Sequence, residues 1–566
     1  MKEYFEAELR LLKEESQEFA KAYPEQAAML NLNAVRDRDP YVERLLEGMA
    51  FLTSKIRERL DDSVPELSQS LLDQLAPSLC RPFPSHLVLE FSPSALSGGL
   101  TNIPKGTVVS SPYKGPDSIK CHFQTTSNIE LLPLHVHDIS ATDVLGRGTK
   151  VTIELEKSAD IAWADLQNQS LPIFLNCDRS LAYVLYEALT NSTATYATNL
   201  DGTLGKAKID PCRIKVEANT LPAFEQGHDA YNILFDYFNA RDRFMFVELS
   251  DIDYSLLSEN AQRLSITIET ALFLPPTHKV DSKTLRINSV VGINTFPAES
   301  EPIKASSKYP DFLVKVDSEY GNQASSYWIS EVASRDLKNG DVTEYKSLHK
   351  LDYRSESDPT FMAQLKRSPT GKWQHYLSLN GSKDIDEQTL SVGLIATNNN
   401  YPRKYLDFGD VCELPSEIEQ TISVRNISRP SKVSLPPSNQ DFGWQLVSML
   451  SQNLTVLDSA NKLRALLGLF DWSGLEENKN RILSIDSVTQ SRQQKIKKGV
   501  LFNIIQFDLT VSETGFSSTA DIYFFGSILY AFLGAYADIS ERIEMKIMTL
   551  PSNKEWFWEA NLCTES

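Results

Sequence analysis

The spacing of large apolar residues changes at the Arg-Pro-Phe-Pro sequence of residues 81–84, and this change separates two kinds of secondary structure. Before it, apolar side chains recur every three or four residues, which is typical of amphipathic helices. The two stripes that show this spacing are formed by Phe5, Leu9, Leu12 and Phe19, and by Leu45, Met49, Leu52 and Ile56. Asp39 can cap the second helix, and Pro40 suits its first turn, where the missing N–H costs nothing. We therefore predict a helical region over residues 1–84.

Beyond residue 84 the apolar residues alternate with polar ones, which is typical of strands with one buried face. Leu87, Leu89 and Phe91 alternate in this way, and short runs at 151–155 and 264–268 continue the pattern. Two amphipathic helices are predicted within this region, at residues 181–189 and 231–239. Residues 85–335 are thus expected to form a β-rich domain with helical insertions.

The remainder of the chain alternates between polar segments and apolar elements. Residues 336–428 are polar with a few strand-like runs, such as 391–396, and a proline-rich stretch from Arg429 to Ser438 is typical of a linker. Residues 440–566 combine helical spacing at 446–450 and 463–470 with a strand at 502–509 and an apolar helix at 522–537. The 566 residues exceed what one core supports. The predicted class is a multidomain α+β protein with a helical N-terminal region, a β-rich middle and a mixed α/β C-terminal domain.

The apolar run at 522–537 is too short for a membrane span, which needs about 20 residues. Glycines and a serine also interrupt it, so we predict a buried core helix. The first residues turn acidic at once, without the apolar core of a signal peptide. The six cysteines are dispersed, which favours reduced and mostly buried thiols in a cytoplasmic protein.

The charge balance disfavours nucleic-acid binding. The chain carries 75 acidic and 56 basic residues, a formal net charge of −19, whereas phosphate binding requires a concentrated basic surface. One short basic run, residues 492–498, is predicted to be a solvated turn, with contact to an acidic partner as the alternative.

The sequence lacks the standard catalytic and cofactor motifs. A sequence near a nucleophile elbow, residues 515–519, fails because Thr519 replaces its closing glycine. Asp251 and Asp253 flank the end of an apolar strand, where solvated carboxylates are expected. We therefore predict no enzyme activity and no cofactor.

His135 and His137 share one face of a predicted strand and could bind a metal with Cys121 or His122 from a neighbouring strand. Histidines on a half-exposed strand more often face solvent, so no metal site is predicted.

The two apolar stripes are the candidate partner interface. They could pack within their own domain, or they could be covered by helices of other chains, as in a bundle. The candidate interface residues are Phe5, Leu9, Leu12, Phe19, Leu45, Met49, Leu52 and Ile56.

Several sequence blocks follow one another along the chain: YFEAEL at residues 4–9, DPYVERLLE at 39–47, RPFPS at 81–85, and IPKGT at 103–107 with CHFQT at 121–125. Together they resemble the TssF (VasA or ImpG) family of type VI secretion baseplate subunits. Further blocks at 237–246, 294–302, 397–399 and 444–454 follow in the family's order. Residues around 340–385 match the family less well.

This resemblance implies a structural role in the cytoplasm, within a membrane-docked baseplate. Two TssF copies and one TssG copy would form a wedge that joins TssE and TssK, and the wedges would surround the VgrG spike and support tail tube and sheath assembly. The alternative hypothesis is a secreted β-rich protein that acts on or binds carbohydrate.

Overall fold

The structure, a computed structural model, describes most of the chain between residues 76 and 560. Before residue 76 it describes positions 5, 9, 10, 12, 44–54 and 72, all of them helical. Later gaps are residues 94–99, 145, 159–161, 167–169, 192–193, 199–204, 212–228, 275–279, 337–339, 349–357, 368–372, 381–387, 416–421, 438–441, 451–456, 498–499 and 538–540. The predicted helical region over residues 1–84 lies largely outside the described residues and stays a prediction.

The chain divides into two compact units. The first comprises Met1–Leu75 and Ser438–Ser451, and the second comprises Ala76–Pro437 and Gln452–Ser566. The domain boundaries predicted at residues 84, 335 and 428 stay predictions.

Seven α-helices have bounds within the described residues. They are α1 (Arg179–Thr190), α2 (Asp229–Asn239), α3 (Tyr401–Tyr405), α4 (Phe442–Leu450), α5 (Ala460–Phe470), α6 (Glu476–Leu483) and α7 (Thr519–Tyr536). Helices α1, α2 and α5 confirm the helices predicted from helical spacing, and α7 confirms the apolar helix predicted at 522–537. In α4, which belongs to the first unit, Leu446 and Leu450 are buried as their spacing predicts.

The first sheet of the second unit joins strands from distant parts of the chain. Its antiparallel order is β23 (Ile422–Asn426), β1 (His86–Pro93), β14 (Ser289–Ile293), β4 (His122–Thr125) and β3 (Val108–Ser110). A separate pair, β2 (Thr101–Ile103) and β5 (Ile129–Leu131), packs into the same core.

Strand β1 is buried on both faces, so the prediction of a half-buried strand is wrong. His86 and Glu90, expected to face solvent, are only 5% and 8% exposed. Their polar groups are satisfied within the protein: His86 Nδ1 lies 2.8 Å from Ser431 Oγ, and Glu90 pairs with Arg425 and Arg286. The polar face of β1 can therefore be buried, because its side chains bind partners that lie about 200 and 340 positions away along the chain.

The second sheet has eight antiparallel strands. In order they are β13 (Leu285–Arg286), β8 (Leu171–Leu175), β11 (Phe246–Ser250), β10 (Gly205–Pro211), β9 (Ala194–Thr198), β12 (Arg263–Thr270), β7 (Gly148–Lys157) and β6 (Leu134–Val144). Helix α1 lies against β8, β10, β11 and β12. Strands β7 and β12 are those predicted at residues 151–155 and 264–268, and they pair with each other. Strand β6 ends the hydrogen-bonded order at one edge.

The third sheet shows that the polar segment 336–428 forms more strands than its sequence suggests. Its order is β15 (Phe296–Glu299), β22 (Gln388–Thr397), β18 (Ser325–Asp336), β19 (Val342–Ser347), β20 (Thr360–Arg367), β21 (Trp373–Asn380) and β17 (Phe312–Val314), with β16 (Ile303–Lys304) also on β22. Only β22 was predicted, because its apolar residues alternate clearly.

The C-terminal sheet has the order β24 (Ile485–Lys497), β25 (Val500–Ser512), β26 (Glu541–Leu550) and β27 (Glu555–Trp558). Parallel strands β25 and β26 are connected through α7, whose residues are buried along most of its length. This confirms the predicted core helix, and no helix among the described residues is long and apolar enough to cross a membrane. The basic run from Arg492 to Lys497 lies on β24, so its prediction as a turn is wrong. Arg492 and Lys495 there face Glu541 and Glu544.

A buried polar network ties the C-terminal helices to the middle of the second unit. Arg481 on α6 pairs with Asp521 on α7 at 2.8 Å, with 3% and 0% of these side chains exposed. Arg241, directly after α2, donates to Tyr183 Oη on α1 at 3.0 Å and to Asn478 on α6. Aromatic side chains surround this network, so α1, α2, α6 and α7 share one core.

Candidate interaction surface

The helical segment 44–54, in the first unit, carries its large apolar side chains on its exposed face. Leu45, Met49 and Leu52 are 68%, 58% and 62% exposed. These positions follow the i, i+4, i+7 spacing that places side chains on one side of a helix. We call the surface formed by these three residues the N-terminal apolar face.

Two small residues on the opposite side of this helix are buried. Ala50 and Ser54 are both 0% exposed. Ser54 Oγ donates to the carbonyl of Phe51 at 2.8 Å, so its burial leaves this hydroxyl paired. A helix that covers alanine and serine while exposing leucine and methionine reverses the usual arrangement of a surface helix.

Gly48 lies one turn along the helix from Leu45 and Leu52, at the margin of the apolar face. A Cβ built on Gly48 meets nothing within 4 Å. Because Gly48 has no side chain, a helix of another chain could approach the backbone closely there. Arg44, which is exposed, supplies charge at the margin of the apolar face, as in the polar rim of many interfaces.

The exposed apolar surface is large enough to contribute to association. Phe51, at the margin of the face, is 46% exposed and adds to the three residues already named. Together these four side chains correspond to a little over two fully exposed apolar side chains, whose burial contributes roughly 4–7 kcal/mol before entropic costs. Phe51 lies outside the regular stripe, so apolar spacing does not predict it as an interface residue.

The other predicted interface residues are less exposed or not described. Phe5, Leu9 and Leu12 are half-buried, and Phe19 and Ile56 lie outside the described residues. Trp444 on α4, in the same unit, is 42% exposed. Apolar spacing does not predict this exposure, because Trp444 lies close in sequence to Leu446 and Leu450, which are buried.

Three buried or half-buried histidines form hydrogen bonds with serine hydroxyls in the second unit. His122 Nδ1 lies 2.7 Å from Ser110 Oγ, and His375 Nδ1 lies 2.6 Å from Ser326 Oγ; the third pair is that of His86. Burial, with the charge of Lys120, lowers the pKa of His122 to about 4, and burial lowers the pKa of His375 to about 3. A general base works best with a pKa near the working pH, so these imidazoles suit structural hydrogen bonds between strands.

The hydroxyl in the elbow-like sequence is used at a helix terminus. Ser517 Oγ donates to Asp521 at 3.0 Å, and the next residue, Ser518, caps α7. Asp253 accepts hydrogen bonds from the backbone and hydroxyl of Ser255, while Asp251 is exposed. Ser517, Ser518 and Asp253 therefore have local structural roles, and Asp251 faces solvent.

The structure does not bring Cys121 or His122 to His135 and His137. Cys121 is buried in the core of the first sheet and His122 is bonded to Ser110, whereas His135 and His137 lie on β6 of the second sheet. Neither of the two residues that the sequence offered as a third ligand therefore lies at this site. Of the four cysteines that the structure describes, Cys121 is buried, Cys80 and Cys177 are half-buried and Cys412 is exposed, which corrects the expectation of mostly buried thiols.

The comparison with protein families decides the identity. The family model described as "Type VI secretion system, TssF" matches residues 1–565. The chain belongs to the TssF family. TssF proteins are structural subunits of the type VI secretion baseplate, and that is the function of this chain. The alternative hypothesis, a secreted carbohydrate-active or carbohydrate-binding protein, is not favoured.

Individual relatives agree with TssF membership along the whole chain. The type VI secretion system component TssF1 of Pseudomonas aeruginosa PAO1 is 24% identical over 611 aligned positions, which cover 99% of this chain and 98% of the relative. A chain of a TssK-TssF-TssG baseplate subcomplex, determined by cryo-electron microscopy, has a TM-score of 0.78 and 25% identity, covering 93% of this chain and 99% of that one. A chain of the baseplate complex from the type VI secretion system has a TM-score of 0.65 and 25% identity, covering 99% of this chain and 98% of that one.

Proposed function

We propose that this TssF chain is a non-catalytic wedge subunit of the baseplate, in which two TssF copies assemble with one TssG copy. The wedge would join TssE and TssK and would surround the VgrG spike with its neighbours. Its place would be in the cytoplasm, within a baseplate docked at the membrane. The similarity to a chain of a TssK-TssF-TssG subcomplex supports TssG and TssK as partners, and the TssE, VgrG and self-association contacts rest on the family resemblance.

The N-terminal apolar face is the observation that carries this proposal. Leu45, Met49 and Leu52 would be covered by helices of TssG or of the second TssF copy, as in a helical bundle. The N-terminal apolar face would be extended by the other predicted interface residues, Phe5, Leu9, Leu12, Phe19 and Ile56. The half-buried state of Phe5, Leu9 and Leu12 is consistent with an incomplete bundle.

In this role no residue of the chain would carry out a chemical reaction. The wedge would hold its partners by apolar burial, and the β-rich parts of the second unit would contact neighbouring subunits. A rearrangement of those contacts would begin contraction.

A co-expression experiment with matched variants tests the proposal. The chain is produced with the TssG protein of the same secretion system, and native mass spectrometry measures the composition of the purified complex. We expect two copies of this chain with one of TssG. Leu52→Lys should remove that complex, because a lysine ammonium would be buried at the centre of the interface.

Leu483→Lys is the matched control. Leu483, at the end of α6, is 64% exposed, nearly the same as the 62% of Leu52, but it lies in the second unit. The control should form the complex as the unaltered chain does. The proposal would be contradicted if Leu52→Lys and Leu483→Lys formed the complex equally well. It would also be contradicted if the unaltered chain did not associate with TssG.

A further inference from the structure

Two histidines and a glutamate converge at the exposed edge of the second sheet. His135 on β6 lies directly opposite Glu156 on β7. The regular pairing of these strands is interrupted between Val136 and Asp138, so His137 is an extra residue in a β-bulge. Bulges redirect side chains, and here His137 also reaches the Glu156 carboxylate.

The distances among these groups suit a shared metal ion. His137 Nδ1 lies 2.9 Å from Glu156 Oε2, and His135 Nε2 lies 3.6 Å from the same oxygen. The three potential ligand atoms all lie within 4.8 Å of one another. Two ligand atoms bound about 2.0–2.1 Å from a tetrahedral zinc ion are roughly 3.3 Å apart. The two measured distances lie on either side of that value, so small side-chain rotations would form the site.

The surrounding charges favour a cation but include one competitor. Glu154 on β7 and Asp138 on β6 are directly paired across the two strands, next to the candidate ligands. Arg263, opposite Glu156 on β12, places Nη2 3.7 Å from Glu156 Oε2 and Nη1 3.9 Å from Glu154 Oε2. Arg263 can therefore stay with Glu154 while Glu156 binds an ion.

We propose that His135, His137 and Glu156 bind a divalent transition-metal ion, with Zn²⁺ as the best match. Two imidazoles and one carboxylate are a known donor set for zinc that leaves a fourth position for water. The side chains of His135, His137 and Glu156 are 52%, 37% and 29% exposed, so the ion can enter from solvent. The bound ion would link the edge strand β6 to β7 at the bulge.

The test measures metal binding to the full chain after treatment with a chelator. Isothermal titration calorimetry with zinc chloride should show one ion per chain, and Co²⁺ should give the intense visible absorption of tetrahedral coordination. His135→Ala, His137→Ala and Glu156→Gln should each weaken zinc binding at least tenfold. Glu130→Gln, an exposed carboxylate on β5, is the matched control and should leave the affinity unchanged.

Arg263→Gln gives a prediction of the opposite sign. Removing the competing guanidinium should tighten zinc binding several-fold, which non-specific binding to surface histidines would not show. Circular dichroism in the presence of chelator verifies that every variant is folded. The proposal would be overturned by fewer than half an ion per chain, by unchanged affinity in the three ligand variants or in Arg263→Gln, or by the weak absorption of octahedral cobalt.

Discussion

Asp521→Ala is expected to loosen the attachment of helix α7 to the rest of the second unit. Asp521 Oδ2 accepts from Arg481 Nε at 3.1 Å and from Nη2 at 2.8 Å. The same oxygen accepts from the backbone N–H and the hydroxyl of Ser517, both within 3.1 Å. One substitution therefore removes the counter-charge of a buried guanidinium and the acceptor that fixes the beginning of α7.

The magnitude follows from what remains around Arg481. Removing one partner of a buried ion pair costs about 3–5 kcal/mol, because the other charge stays buried. Arg481 keeps a hydrogen bond to Asn478 Oδ1 at 3.2 Å and a 3.7 Å approach to the exposed Glu477. With these contacts retained, we expect a loss of stability of about 3 kcal/mol. Helix α7 would then open about 100-fold more often.

Amide hydrogen exchange measured by mass spectrometry is the suitable assay, since it reports opening of α7 rather than unfolding of a chain with several units. Peptides from 519–536 should exchange about 100-fold faster in Asp521→Ala. Asp458→Ala removes the exposed pair of Asp458 with Lys462 and should change exchange less than fivefold, because solvent screens exposed ion pairs and they contribute little to stability. The double variant Arg481→Met with Asp521→Ala should recover most of the protection. An equal effect of Asp458→Ala and Asp521→Ala would refute the reasoning.

Three further predictions follow from the structure. Burial lowers the pKa of His122 to about 4, so as the pH falls the imidazole is protonated in the unfolded chain before it is protonated in the folded one. The free energy of unfolding should therefore fall by up to ~3 kcal/mol between pH 7 and pH 4. Thermal melts of His122→Gln should depend less on pH over that range. Gly148→Ala should lower the melting temperature clearly, because φ is +119° and a Cβ would lie 2.1 Å from the carbonyl oxygen of Thr270. Gly146→Ala is the control: with φ +74° and nothing within 4 Å of its Cβ, it should lower the free energy of unfolding by only about 1–2 kcal/mol. Gly48→Ala should stabilise the isolated chain slightly through its helix propensity yet weaken the TssG complex at least tenfold; unchanged assembly would contradict close helix packing there.

Local spacing of apolar residues predicted the elements whose burial is decided within the element itself. Helical spacing located α1, α2 and α5, and alternation located β7, β12 and β22. The strand predicted at 502–509 lies within β25, and the continuous apolar run at 522–537 lies within α7 and the residue after it. Helix α7 shows why length mattered: its apolar run was too short to span a bilayer, so a buried core helix was the remaining solution.

The errors arose where partners distant in the chain decide the outcome. Glu90 looks like a solvent-facing residue until Arg425 and Arg286 are placed beside it. Strands β19, β20 and β21 are polar enough to be mistaken for loops, and their pairing within the third sheet defines them.

The candidate sites also combine features that local spacing predicts with features that depend on partners distant in the chain. The apolar stripe at 45–52 was predicted from spacing alone, but its exposure depends on which side of the helix the chain covers. Glu156 could not be assigned to His135 and His137 without the register of β6 on β7 and the bulge at His137.

Footprinting by hydroxyl radicals on the free chain and on its complex with TssG tests most directly whether other subunits cover the apolar face. Met49 is 58% exposed in the chain alone and is readily oxidised chemically, while Tyr309, 65% exposed in the second unit, serves as the internal reference. We expect the oxidation rate of Met49 to fall at least tenfold on assembly, with little change at Tyr309. A Met49 that is oxidised equally fast in the free chain and in the assembled wedge would contradict the account.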